Sequence, residues 1–228
     1  MFLHEGLGSV ALWRDFPARL LRATGYNGLV YSRAGYGNSQ PLKRSRSPHY
    51  MHEEALEVLP RVLEQHGIVR PILFGHSDGG SIALIFAGDG RWEVDALILE
   101  APHVFVEEVS VQGNAGARAA YETGALRERL SRYHADVDGA FYGWNDIWLH
   151  PDFRDWNIEA SLRAIAVPML LIQGAADEYG SFAQADAIRA GVRAAHVTEL
   201  RIADCGHAPH GEDPGAVIAA STEFLAAL

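Results

Sequence analysis

The chain has 228 residues, 48% hydrophobic and 21% charged, and its 19 basic and 29 acidic side chains give a net charge of −10 with histidine neutral. These values fit one globular domain, with or without an insertion, and exclude disorder, a collagen-like repeat and a coiled coil. The acidity argues against a general binder of nucleic acid or anionic membrane, because phosphate recognition needs concentrated positive charge.

Cys205 is the single cysteine, so no intrachain disulfide is expected, which fits a reducing compartment. The first residues show no basic region followed by an apolar stretch. No window approaches the roughly 20 apolar residues that span a bilayer. A soluble cytoplasmic protein is therefore expected.

Val10, Leu12, Trp13, Phe16, Leu20 and Leu21 recur near helical spacing and predict an amphipathic helix. Gly28 to Ser32 reads as a buried strand. Leu56, Leu59, Val62 and Leu63 give a second helical stripe. Pro71 to Phe74 and Ala96 to Leu99 are further apolar strands, with a helical run, Ser81 to Ala87, between them. Pro168 to Ile172 and His196 to Ile202 complete the strand set. Asp213 and Pro214 open a final helix as N-cap and first helical residue. Strands alternating with helices predict an α/β fold, a mostly parallel sheet with helices on both faces.

The stretch from His103 to Ile165 breaks this rhythm. It has no convincing strand, many helix formers, and the aromatics Phe141, Tyr142, Trp144, Trp148, Phe153 and Trp156. The expected organisation is a core of residues 1–102 and 166–228 with a helical insertion at 103–165, placed to act as a lid.

Phe74 to Gly80 (FGHSDGG) contains G-x-S-x-G directly after a strand and before a helix. The glycines allow a tight turn that presents Ser77, and the helix N-terminus adds unpaired N–H groups and positive potential. The Asp78 N–H is placed to face a developing oxyanion. Adjacent side chains in a sharp turn diverge, so base and acid must come from elsewhere. Asp177 follows the fourth of the sheet's strong apolar runs and His207 follows the last. The order Ser77, Asp177, His207 suits this architecture. Glu178 and Glu100 are rival acids, and His210 is a rival base.

With those residues in place, the chain resembles the α/β-hydrolase superfamily over essentially its whole length, in the lid-containing branch of small serine esterases. Leu3 to Ser9 (LHEGLGS) resembles the family's H-G-x-x-G loop, with Glu5 where glycine is usual. Ser32 to Ser39 resembles its R-G-x-G-x-S loop, with Ala34 interrupting the Arg-Gly pair. The resemblance implies the Gly6 N–H as the second oxyanion donor. It also implies two strands before the one that enters this loop. Only Met1 to Leu3 precedes His4, so N-terminal strands are expected to be missing: either the start codon is misassigned or the form is shortened, and a shortened form would expose a strand edge that favours self-association as a homo-oligomer, or instability. A serine at the elbow argues against the family's dehalogenases and epoxide hydrolases, which carry aspartate there.

The resulting expectation is a serine hydrolase with the Ser77, His207, Asp177 triad. It acts on a small-molecule ester through an acyl-enzyme, with no cofactor and no metal, and engages neither nucleic acid nor membrane. His4, His76, Phe141, Trp144 and Trp148 are the candidate substrate-binding residues. Carbon–carbon hydrolysis of a β-diketone-like ring-cleavage product, and non-catalytic ligand binding, are the alternatives. The pairs His49/His52 and His207/His210 have metal-like spacing without a clear set of further ligands.

Overall fold

The computed structural model describes residues 1–228. Five parallel strands form one sheet in the order β1-β2-β3-β4-β5: Phe2–Leu3, Ile72–His76, Ala96–Glu100, Met169–Gly174 and Val197–Ile202. The helices are α1 (Phe16–Thr24), α2 (Tyr50–Glu53), α3 (Leu59–Gln65), α4 (Asp78–Asp89), α5 (Glu108–Glu122), α6 (Ala125–Leu130), α7 (Val137–Trp148), α8 (Glu159–Leu162), α9 (Phe182–Gly191), α10 (Pro209–Glu212) and α11 (Pro214–Ala226). None is long and apolar enough to cross a membrane.

The three inner strands are apolar until their C-terminal ends because helices cover both faces of the sheet. Leu73, Leu97, Leu99, Met169 and Leu171 face one side, where they join Ile82, Phe86 and the aromatics of α7. Phe74, Ala96, Ile98, Leu170 and Ile172 face the other, against Phe16 and Leu20 of α1 and Val217 and Phe224 of α11. Phe141, Trp144, Trp148, Phe153 and Trp156 thus pack into the same core as the sheet. Residues 103–165 form α5 to α8 between β3 and β4, with no strand longer than a single bridge.

Three readings of the sequence need correction. Gly28 to Ser32 is not a strand: Val30 alone bridges to Phe2, because β1 offers only two residues for pairing. The first helix starts at Phe16 and not near Val10. Arg14 has φ 52°, which no α-helix accommodates, and the Pro17 ring would strike the Trp13 carbonyl one turn back. The second stripe is broken by a π-helical turn over Glu54–Val58, just ahead of Pro60, which cannot donate to Leu56. At the C-terminus, the Asp213 side chain accepts the Ala216 N–H at 3.0 Å and caps α11.

Candidate active site

Ser77 sits between the last residue of β2 and the first of α4 at φ 52° and ψ −118°. A side-chain-bearing residue held there stores about 1–3 kcal/mol of strain. Its N–H donates to the Glu100 carbonyl at 2.8 Å, and its carbonyl accepts Gly80 N at 2.8 Å and Ser81 N at 3.0 Å. The flanking glycines are required by close approach. A Cβ on Gly75 would overlap the Gly79 carbonyl, and one on Gly79 would overlap the Leu3 carbonyl. The elbow is therefore wedged directly against β1.

His207 Nδ1 lies 2.8 Å from Asp177 Oδ1 and 2.9 Å from Oδ2. Asp177 also accepts from Tyr179 N at 2.8 Å, Gly180 N at 3.2 Å and Gln173 Nε2 at 2.6 Å. Burial favours the neutral acid, but the His207 charge and these hydrogen bonds outweigh it, and the Asp177 pKa is lowered. Glu212 shapes the His207 loop by accepting Gly206 N at 2.9 Å and Ala208 N at 3.3 Å. Ser77 and His207 line one cavity of about 860 Å³, a size suited to a small-molecule ligand. A separate apolar groove of about 450 Å³, bordered by Phe2, Leu29, Ile72 and Leu225, touches none of the three.

The rival residues go elsewhere. Glu100 and His210 pair with each other, with His210 Nδ1 2.5 Å from Glu100 Oε2. Glu178 borders the cavity and makes no bond to His207. His76, Glu100 and His210 bring one ligand atom each within 4.8 Å of one another. His210 Nδ1 is bonded to Glu100 and His76 Nε2 donates to the His207 carbonyl at 2.7 Å, while His76 Nδ1 lies 3.4 Å from Glu5 Oε2 without a hydrogen bond. His49 and His52 stand with ring centroids 6.1 Å apart and gather no acidic partners into a cluster.

Asp78 follows the serine as the first residue of α4, Gly6 lines the same cavity as Ser77, and neither N–H donates in the backbone bonds outside the helices and strands. These are the two amides that the sequence nominates as oxyanion donors. The Trp144 indole covers Gly6 so closely that a Cβ there would overlap the ring. Gly6→Ala is expected to tilt Trp144 and the loop together and cut turnover by about a hundredfold. Gly6→Ala/Trp144→Ala should regain part of that loss. Equal rates for the single and double variants in an ester assay would refute the clash.

The Asp78 side chain is buried in a second network. It accepts Tyr50 Oη at 2.7 Å and Trp148 Nε1 at 3.3 Å, and lies 3.8 Å from Arg33 Nη2. His4 belongs to this network and not to the cavity. Its Nδ1 donates to the Glu5 carbonyl at 2.7 Å and its Nε2 accepts Arg33 N at 3.0 Å. Burial and the Arg33 charge hold its pKa low, so it serves as a neutral strut. Phe141 is likewise not a cavity residue: it is fully buried and stacks on Tyr121 at 3.7 Å. His76, Trp144 and Trp148 do border the cavity.

A sequence profile described as the Alpha/beta hydrolase family matches residues 1–220. The chain belongs to that family. An esterase from Exiguobacterium antarcticum superposes on this α/β hydrolase with TM-score 0.78 at 18% identity, covering 99% of this chain and 90% of its own. A hydrolase from Pseudomonas aeruginosa gives 0.74 at 20%, covering 98% and 88%. An esterase from Rhodococcus gives 0.74 at 19%, covering 100% and 90%. At such identities the likeness is one of fold. No curated relative matches the sequence.

The α/β-hydrolase cavity also contains residues that the sequence did not single out. His103 follows β3, and its Nε2 donates to the Tyr179 carbonyl at 3.1 Å. Its ring centroid is 5.7 Å from His207 and 5.0 Å from Trp148. Burial, then the His207 charge, lower its pKa and favour a neutral ring. Tyr179 packs on His207 at 4.8 Å. The placement of His103 directly after a buried strand was the available signal, since loops at strand ends line such sites.

Proposed function

We propose that this α/β hydrolase is a serine esterase that cleaves a small carboxylic ester with an apolar or aromatic portion through an acyl-enzyme. The observation that carries the reading is His207, paired with the buried Asp177, lining the same cavity as Ser77, a serine held in a strained elbow at a helix N-terminus. In this reading His207 takes the Ser77 proton as the serine oxygen attacks the carbonyl. Asp177 orients His207 and stabilises the imidazolium. The Gly6 and Asp78 amides receive the oxyanion, the alcohol leaves, and water attacks the acyl-enzyme with His207 again as base. Residues 103–165 act as the lid, since Ala117, Leu126, Leu130, Trp144 and Trp148 supply the apolar wall. The chemistry requires no cofactor.

A fluorophosphonate followed by intact mass and peptide mapping tests this reading. One adduct on Ser77 is the expected result. A folded chain that takes no adduct would overturn the mechanism. A panel of esters and β-diketones then separates ester hydrolysis from carbon–carbon hydrolysis.

A further inference from the structure

Behind the triad, four titratable side chains from four segments meet. They are Glu5 in the loop after β1, His76 at the end of β2, Glu100 at the end of β3 and His210 in α10. Glu100 is fully buried and accepts both the Nδ1 and the backbone N–H of His210 at 2.5 Å. His76 Nδ1 stands 3.4 Å from Glu5 Oε2. A carbonyl only accepts, so the 2.7 Å contact between His76 Nε2 and the His207 carbonyl places a proton on Nε2. The His76 ring centroid is 4.9 Å from His210 and 5.1 Å from His207. Trp13 and Phe16 close the apolar side, with ring centroids 4.6 Å and 5.4 Å from His210.

We propose that Glu5, His76, Glu100 and His210 form a relay of positioning residues that fixes the His207 loop and the Gly6 amide relative to Ser77. The proposal rests on the serine-hydrolase reading for what is being positioned. The Gly6 loop, the elbow and the His207 loop are each tied to the cluster. Glu5 precedes Gly6, His76 precedes Ser77, and His207 is held by its own carbonyl and by His210 three residues on. Glu100 also ties the elbow from the backbone, since its carbonyl receives the Ser77 N–H. A displacement of about 1 Å at such groups costs about a hundredfold in rate.

The cluster sets two carboxylates against two histidines, an arrangement that favours the protonated rings. Burial opposes protonation of His76, but the Glu5 carboxylate at Nδ1 and the Glu100 charge outweigh it and raise its pKa. Burial likewise opposes His210, and Glu100, then Glu5, raise it. Burial favours neutral Glu100 and Glu5, yet the facing histidines hold both carboxyls below the ordinary range. His76 faces Glu5, Glu100, His210 and His207, and His210 faces Glu100, Glu5 and His207. A raised histidine pKa contributes fully below its unfolded value of about 6.5 and is lost as pH rises through the folded value. A lowered carboxyl pKa contributes above about 4.3 and is lost as pH falls through the folded value. The relay is therefore complete across the weakly acid range and opens on the alkaline side.

The test compares wild type, Glu100→Gln, His210→Asn, the double variant and Glu5→Gln. Glu5 is 24% exposed, so its variant keeps the test open if the buried ones unfold. Two readouts are taken: the fluorophosphonate labelling rate against pH, and the proton shared by His207 and Asp177 in isotope-edited histidine NMR. Each single variant should label about ten- to a hundredfold more slowly, still on Ser77, and displace that proton signal. The double variant should recover part of the rate, because it leaves no unpaired buried charge. It should also show a weaker alkaline decline than wild type, since only His76 and Glu5 still titrate. Folded single variants with wild-type labelling and an unmoved His207 signal would overturn the relay. If wild type takes no label, the esterase reading fails, and the NMR signal alone decides the relay.

Discussion

Asp177→Asn is expected to lower ester turnover by about ten-thousandfold while the chain stays folded. The cause lies in the tautomer of His207. Asp177 now accepts the His207 Nδ1 proton on both oxygens, leaving Nε2 unprotonated and ready to take the serine proton. An asparagine must place its amide nitrogen at one of these positions. At Oδ1 it would meet two backbone donors, Tyr179 N and Gly180 N. At Oδ2 it would meet the Gln173 amide alone, which can turn at the expense of one long bond, Gln173 Nε2 to the Gly180 carbonyl at 3.3 Å, since Gln173 Oε1 has no partner. The second arrangement wins, and its N–H faces His207 Nδ1. The imidazole is then driven to carry its proton on Nε2, where it cannot act as base. Circular dichroism with kcat on an activated ester checks the prediction. A loss below about tenfold would move the acid role to the adjacent Glu178. The lowered Asp177 pKa also sets an acid limit. Its ionised form contributes above its unfolded value of about 3.9, and the contribution fades as pH falls through the lower folded value.

The sheet was legible because its inner strands are buried on both faces, and ILFGH, ALILE and MLLIQG therefore read as apolar runs that turn polar only near their C-terminal ends. The elbow was legible because its glycines answer local crowding between Gly75, Gly79 and Leu3. Pairings between distant loops were not. Nothing local tells Glu100 to meet His210, 110 residues away, or Asp177 to meet His207, 30 residues away. Chain order favours Asp177 and His207, and Glu100 and His210 gain a role only through their bond to each other. His4 and Phe141 misled because residue type marks a polar or aromatic side chain without saying which way it faces. His103 and Tyr179 were passed over for the same reason. The false strand at Gly28 to Ser32 has the right residues but meets only a two-residue neighbour, and pairing depends on the partner's length.

Asp78→Ala is expected to destabilise the fold by about 3–5 kcal/mol, because it strands a buried cation. Arg33 is 1% exposed, and Asp78 is its ion-pair partner at 3.8 Å. Arg33 Nη2 also donates to the Glu5 carbonyl at 2.8 Å, while Nη1 has no hydrogen-bond partner. Removing the carboxylate leaves a guanidinium in the core with neutral acceptors and the more distant Glu54. For a chain of this size such a loss lowers Tm by about 6–20 °C. Arg33→Met/Asp78→Ala should restore much of the stability, since a pair replaced by apolar groups costs far less than a pair broken. The functional consequence should not recover in step. Asp78 also holds Tyr50 and Trp148, which belong to α2 and α7. The double variant should therefore be folded yet slow, with Trp148 free to drift into the cavity. Thermal unfolding of both variants, read with the fluorophosphonate rate, separates the two roles. Equal Tm values for single and double variants would show that Arg33 is satisfied without Asp78. A double variant with wild-type labelling would show that the Trp148 tether has no part in catalysis. Ser77 would then depend on the His76 side of the elbow alone, where Glu5, Glu100 and His210 converge.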